Sequence, residues 1–176
     1  MIKQKVLDAI NDQIQAEFQS AYIYLAISGW CETENYPGMA HWMRMQWEEE
    51  IEHAMKFYNH IIRRDGEVEL KELEKPDVDI DSPIDAFEQA LEHEQYITKR
   101  IHEMYDLARE ENDYPLQTLL NWFIDEQVEE EDAVNEILDR LKLIDGDGGG
   151  LYMLDQELAQ RTGEEEDGGD EMNANE

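Results

Sequence analysis

Glu50 and His53 stand three residues apart in the stretch Trp47-Glu48-Glu49-Glu50-Ile51-Glu52-His53, a spacing that sets them side by side on one helix face. Stepping by three and four from Glu50 reaches Met39, Met43, Trp47, Ala54, Phe57 and Ile61. The carboxylate therefore sits in the middle of an apolar stripe of helical period. Burying an unpaired carboxylate costs several kcal/mol, so a partner of opposite charge is required.

The same interruption occurs in three more helical stretches. The first, about residues 3–32, has the stripe Val6, Ile10, Ile14, Glu17, Ala21, Tyr24, Ser28. Another, about 83–111, reads Ile84, Phe87, Leu91, Glu94, Thr98, Ile101, Tyr105. The last, up to about Ile144, reads Leu116, Leu120, Phe123, Gln127, Glu130, Val134, Ile137, Leu141. A midpoint lies at the same height whichever way a helix runs. Glu17, Glu50, Glu94, Gln127 and Glu130 are thus expected to meet in one layer with His53.

Four acids in a dry layer need cations. Carboxylates with one imidazole and no thiolate suit Fe(II), Mn(II) or a similar divalent ion. Glu50 can bridge two ions, with Glu17 and His53 completing one side and Glu94 and Glu130 the other. Two irons so held can each give one electron to dioxygen or peroxide.

The elements that must position these groups are four long helices of similar length, which predicts an all-α four-helix bundle. Asn35-Tyr36-Pro37-Gly38 marks the first turn, and Asp65-Gly66 ends the second helix. Residues 65–82 form the long crossover between helices two and three. Roughly 18 extended residues reach about 60 Å, enough to return along a helix of about 42 Å. Ser82-Pro83 with Asp85 is a helix start. Asp145-Gly146-Asp147-Gly148-Gly149-Gly150 is read as a break before a short fifth helix at about 151–160. Residues 1–162 form one domain. The tail 163–176, Gly and acid with almost no apolar content, is expected to be disordered.

Composition narrows the partners. The 176 residues carry a formal net charge of -31, which repels nucleic acid and anionic membrane and attracts cations. Such a surface also suits a high-salt interior, where screening removes self-repulsion. Cys31 is the only cysteine, which excludes an intrachain disulfide and a Cys-based zinc site. No leader segment and no apolar run of about 20 residues is read, so a cytoplasmic location is expected.

Glu17, Glu50-x-x-His53, Glu94 and Gln127-x-x-Glu130 resemble the ferroxidase centre of the bacterial non-haem ferritins, over about residues 1–162 including Gly148-Gly149-Gly150-Leu151-Tyr152-Met153-Leu154-Asp155. The resemblance implies a ferritin-like bundle in a homo-oligomeric shell of 24 subunits that oxidises Fe(II) with dioxygen or peroxide and stores ferric mineral. It implies Glu17, Glu50 and His53 on one iron and Glu50, Glu94 and Glu130 on the other, with Gln127 behind them. Glu49, Glu126 and Glu129 match a third, looser iron position, although such charge runs are ordinarily solvated helix faces. Tyr24 matches a tyrosine beside the centre with an electron-donor role, although the sequence itself reads it as a core tyrosine hydrogen-bonded to the carboxylates. Gln127-x-x-Glu130 replaces a second Glu-x-x-His. Glu52 stands where bacterioferritins place a haem-ligating methionine, so no haem is expected.

Three other readings use the same residues. A di-iron peroxide reductase or hydroxylase fits the bundle, but usually carries further histidines or a Cys-rich module. A non-enzymatic acidic bundle would bind cations without oxidising them. A mini-ferritin shell would share its site between subunits. Trp42, Trp47, Trp122 and the methionines read as packing.

Overall fold

The computed structural model describes residues 2–162, and the expected acidic tail falls outside them. Five helices and no strand occur among the described residues: α1 (Gln4–Thr33), α2 (Pro37–Ile62), α3 (Pro83–Glu110), α4 (Tyr114–Ile144) and α5 (Gly148–Leu158). α1 pairs with α2 and α3 with α4, while α1 also packs on α3, and α5 rests on α2 and α4. This is the expected all-α four-helix bundle, with a long crossover between α2 and α3 and a short fifth helix.

Each long helix is followed by a short polar residue in the left-handed region: Asn35, Asp65, Asn112 and Asp145, with φ between 45° and 65°. Three of the ends close with a bond reaching back five residues, from Tyr36 N to Cys31 O, Gly66 N to Ile61 O and Asp113 N to Ala108 O. Ser82 caps α3 by accepting from the Asp85 amide at 3.2 Å, as its sequence predicts. Asp113 does the same for Leu116 in α4 at 3.1 Å.

α5 begins earlier than its glycines suggest. Asp147 accepts from Gly150 N at 2.7 Å, and this cap draws Gly148, Gly149 and Gly150 into the helix. The break is therefore confined to Asp145–Asp147. Downstream, the buried Asp155 accepts from Met39 N at 2.9 Å and so caps α2 from across the fold. A Cβ on Gly38 would lie 1.6 Å from the Asp155 carbonyl oxygen, so only glycine allows α5 this close.

The crossover, residues 63–82, is pinned to α1 by a ladder of amides at successive turns. Asn11 Nδ2 donates to Glu67 O at 3.3 Å and its Oδ1 accepts from Glu69 N at 2.9 Å. Gln15 donates to Glu72 O at 3.4 Å, and Gln19 exchanges a pair of bonds with Glu74 at 3.0 and 2.8 Å. The chain gains backbone partners there without forming a strand.

The core falls into two apolar clusters. One holds Ile27, Met39, Met43, Phe87, Val134 and Leu138. The other holds Val6, Ile10, Ile14, Phe57, Ile101, Leu120 and Phe123. The polar midpoints of the helices lie between them.

Candidate metal centre

Glu17, Glu50, His53, Glu94, Gln127 and Glu130 are all buried, at exposures of 0 to 6%. Four helices supply them, and each side chain projects inward because its helix buries the flanking apolar positions at the same period. Ligand atoms of Glu17, Glu50 and His53 lie within 4.8 Å of one another, and so do those of His53, Glu126 and Glu130. Nδ1 of His53 is 3.5 Å from Glu50 Oε2, and Nε2 is 3.8 Å from Glu126 Oε1. The imidazole stands between the two groups, with Trp122 and Phe123 edge-on at 5.5 and 5.6 Å.

Glu94 is turned toward neutral donors. Its Oε1 accepts from the Tyr24 hydroxyl and its Oε2 from Gln127 Nε2 at 3.1 Å. It belongs to neither compact group. The set Glu50, Glu94 and Glu130 expected for a second ion is thus gathered in one layer, while the tighter cluster beside it uses Glu126.

Burial dominates the electrostatics. It raises the carboxyls of Glu17, Glu50 and Glu94 above their ordinary range, and pushes Glu130 up to about 8. The Glu94 charge adds to the rise at Glu50 and Glu130. For His53, burial favours the neutral ring, but the Glu126 and Glu50 carboxylates together outweigh it and hold the imidazole well above its usual value. The Tyr24 phenol is raised by burial and then by Glu94. Oε2 of Glu17 is buried with no hydrogen-bond donor, and Oε2 of Glu50 has only the long 3.5 Å approach of His53 Nδ1. Acceptor oxygens left in this state, around one imidazole, suit a hard or borderline divalent cation.

The outer acids divide. Glu49 is buried and paired with Arg161, Glu126 is half-buried, and Glu129 is exposed. All three line a cavity of about 160 Å³ with Glu130, Ala133 and Arg161.

Two buried glutamines that lie off the apolar stripes also belong to the centre. Gln13 donates to Glu17 Oε1 at 2.8 Å, and Gln46 donates to Glu130 Oε2 at 2.6 Å. Each stands four residues before a ligand-type glutamate, Glu17 and Glu50, which is the spacing that could have revealed them. Among the aromatics, Trp42 is buried as expected, Trp47 is half-buried, and Trp122 is 36% exposed with Lys56 Nζ 4.3 Å from its ring centre.

A helical bundle whose midline is a layer of carboxylates and one histidine defines a class, and the sequence comparison agrees with it. The ferritin-like domain family matches residues 7–144, and the chain belongs to that family. It is 36% identical over 166 residues to the bacterial non-heme ferritin of Staphylococcus aureus, spanning 94% of this chain and all of that one. The Staphylococcus haemolyticus protein of the same description is 35% identical over the same spans. Among solved structures, the open pore ferritin of the hyperthermophilic archaeon Archaeoglobus fulgidus superposes with a TM-score of 0.91 at 42% identity, over 92% of this chain and all of that chain. A humanized archaeal ferritin gives 0.92 at 41% identity, over 94% and 100%. No described helix is long and apolar enough to cross a membrane.

Proposed function

We propose that the protein is an iron-storage ferritin with ferroxidase activity. Its substrate is Fe(II), bound in pairs. Glu17, Glu50 and His53 take one ion and Glu50, Glu94 and Glu130 the other, with Glu50 between them. Each Fe(II) gives up one electron. Dioxygen accepts the pair with two protons and leaves as hydrogen peroxide, or peroxide accepts it with two protons and leaves as two waters. The carboxylates favour the ferric product because its charge is higher.

Gln127 holds Glu94, and Gln46 holds Glu130, so each ligand is oriented before the ion arrives. Tyr24 shares its proton with Glu94 and is a further one-electron donor beside the pair. Glu49, Glu126 and Glu129 form the looser third position. The ferric ions then leave for a mineral core enclosed by a cytoplasmic shell of 24 copies.

The observation that carries this reading is the layer of four buried carboxylates and one imidazole between two apolar clusters. Anaerobic protein mixed with Fe(II) and then air should show a fast rise in ferric absorbance, and Glu50→Ala should remove that fast phase. Unchanged kinetics in the variant would refute the assignment. Native mass, measured with and without iron, should give a large closed shell; a monomer or dimer would favour a different di-iron enzyme.

A further inference from the structure

We propose that Arg161 sets the number of metal ions the centre holds, its guanidinium standing as a built-in cation where a third ion would bind. The inference rests on the metal-binding reading above.

Arg161 lies just beyond α5, and its side chain reaches α2 and the outer acids. Its Nη2 donates to Glu49 Oε2 at 2.7 Å. The guanidinium carbon lies 4.7 Å from the centre of the Trp42 ring. Its backbone carbonyl is 2.8 Å from His41 Nε2. Three residues of α2 thus hold this residue, two at its guanidinium and one at its backbone carbonyl. A planar cation stacked on an indole and bonded to a carboxylate is a well-ordered arrangement.

The guanidinium also borders the cavity of about 160 Å³ that Glu49, Glu126, Glu129 and Glu130 line. A divalent ion bound there through Glu49 must share that carboxylate with Arg161, which holds Oε2, and would sit against a positive charge in a small space. Arginine cannot escape by losing its proton. The affinity of a third ion is therefore lowered by the guanidinium charge beside it and by the competition for Glu49. Arg161 bonds to Glu49 and to none of Glu17, Glu50, His53, Glu94 or Glu130, although it borders the same cavity as Glu130, so its effect should fall mainly on the third ion.

Zinc, which is redox-inert, tests this by calorimetry and by native mass on the assembled protein. Wild type should bind a tight pair of ions per subunit, with any third much weaker. Arg161→Gln should add a third zinc bound on the order of tenfold more tightly than in wild type, the scale expected for one lost ion pair. Arg161→Lys keeps the charge and should leave the third site weak. Glu49→Gln in the Arg161→Gln background should abolish the gain. Identical zinc number and affinities in wild type and Arg161→Gln would overturn the proposal, as would an equal gain in Arg161→Lys. Failure of wild type to bind the inner pair would instead count against the metal-centre reading itself. The native mass and melting profile of each variant report whether it is folded.

Discussion

Gln46 on α2 reaches across the bundle and donates to Oε2 of Glu130 on α4 at 2.6 Å. Both are buried, and this bond sets the direction in which Glu130 faces the other acids. Replacing Gln46 by Leu keeps the volume roughly constant and removes the donor. The expected result is a fall of about tenfold or more in affinity for the second of the two inner zinc ions, with the first little changed. Calorimetric titration of the variant against wild type checks this; a uniform loss at both positions would show general unfolding of the centre instead.

Glu17 is fully buried with one oxygen lacking a donor. Its burial opposes folding of the metal-free protein, and on the proposed function it holds an ion in the loaded one. Glu17→Gln should therefore raise the melting temperature of metal-free protein and reduce the increment that zinc adds. Differential scanning calorimetry with and without zinc measures both. A drop in the metal-free melting temperature would contradict the account.

Glu130 is pushed up to about 8, by burial first and by the Glu94 charge next. The folded value exceeds the unfolded one near 4.5, so the folded state holds this proton more tightly. The stability it contributes is full below pH 4.5 and is lost as pH rises through about 8. Metal-free wild type should therefore lose more melting temperature across that window than Glu130→Gln does. Zinc displaces the proton, so binding should release protons and tighten with pH, seen as a dependence of the calorimetric heat on buffer ionisation.

The chain carries a formal charge of -31, and its described surface ion pairs are few for that excess. Screening becomes effective over about 3 Å at 1 M salt. The melting temperature of metal-free protein should rise steadily with KCl. A flat or falling curve would remove the link between this acidity and a saline interior.

The bundle was legible because each long helix repeats an apolar residue every three or four positions and carries acid or amide near its midpoint, at Glu17, Glu50, Glu94 and Gln127 with Glu130. A helix midpoint keeps its height in any topology, and all six of the expected inner residues are buried. What escaped were contacts made by residues off the stripe. Gln46 lies one position from the expected Trp47, and the helix is rotated enough to bury the amide and leave the indole half out. In α3 the buried face likewise runs through Ala90, Ile97 and Met104, beside the expected Leu91, Thr98 and Tyr105.

The three glycines before Leu151 read as a helix break because glycine propensity opposes a helix, but one capping bond from Asp147 and the packing of α5 override it. Arg161 was invisible for a different reason. It lies more than 100 residues from Glu49, and period and spacing within a helix say nothing about such a pair.

Anomalous diffraction from crystals soaked anaerobically in Fe(II) should show two strong peaks in the interior layer, one against Glu17, Glu50 and His53 and one against Glu50, Glu94 and Glu130. Iron found only on the outer acidic surface, with the interior layer empty at full loading, would contradict the di-iron centre.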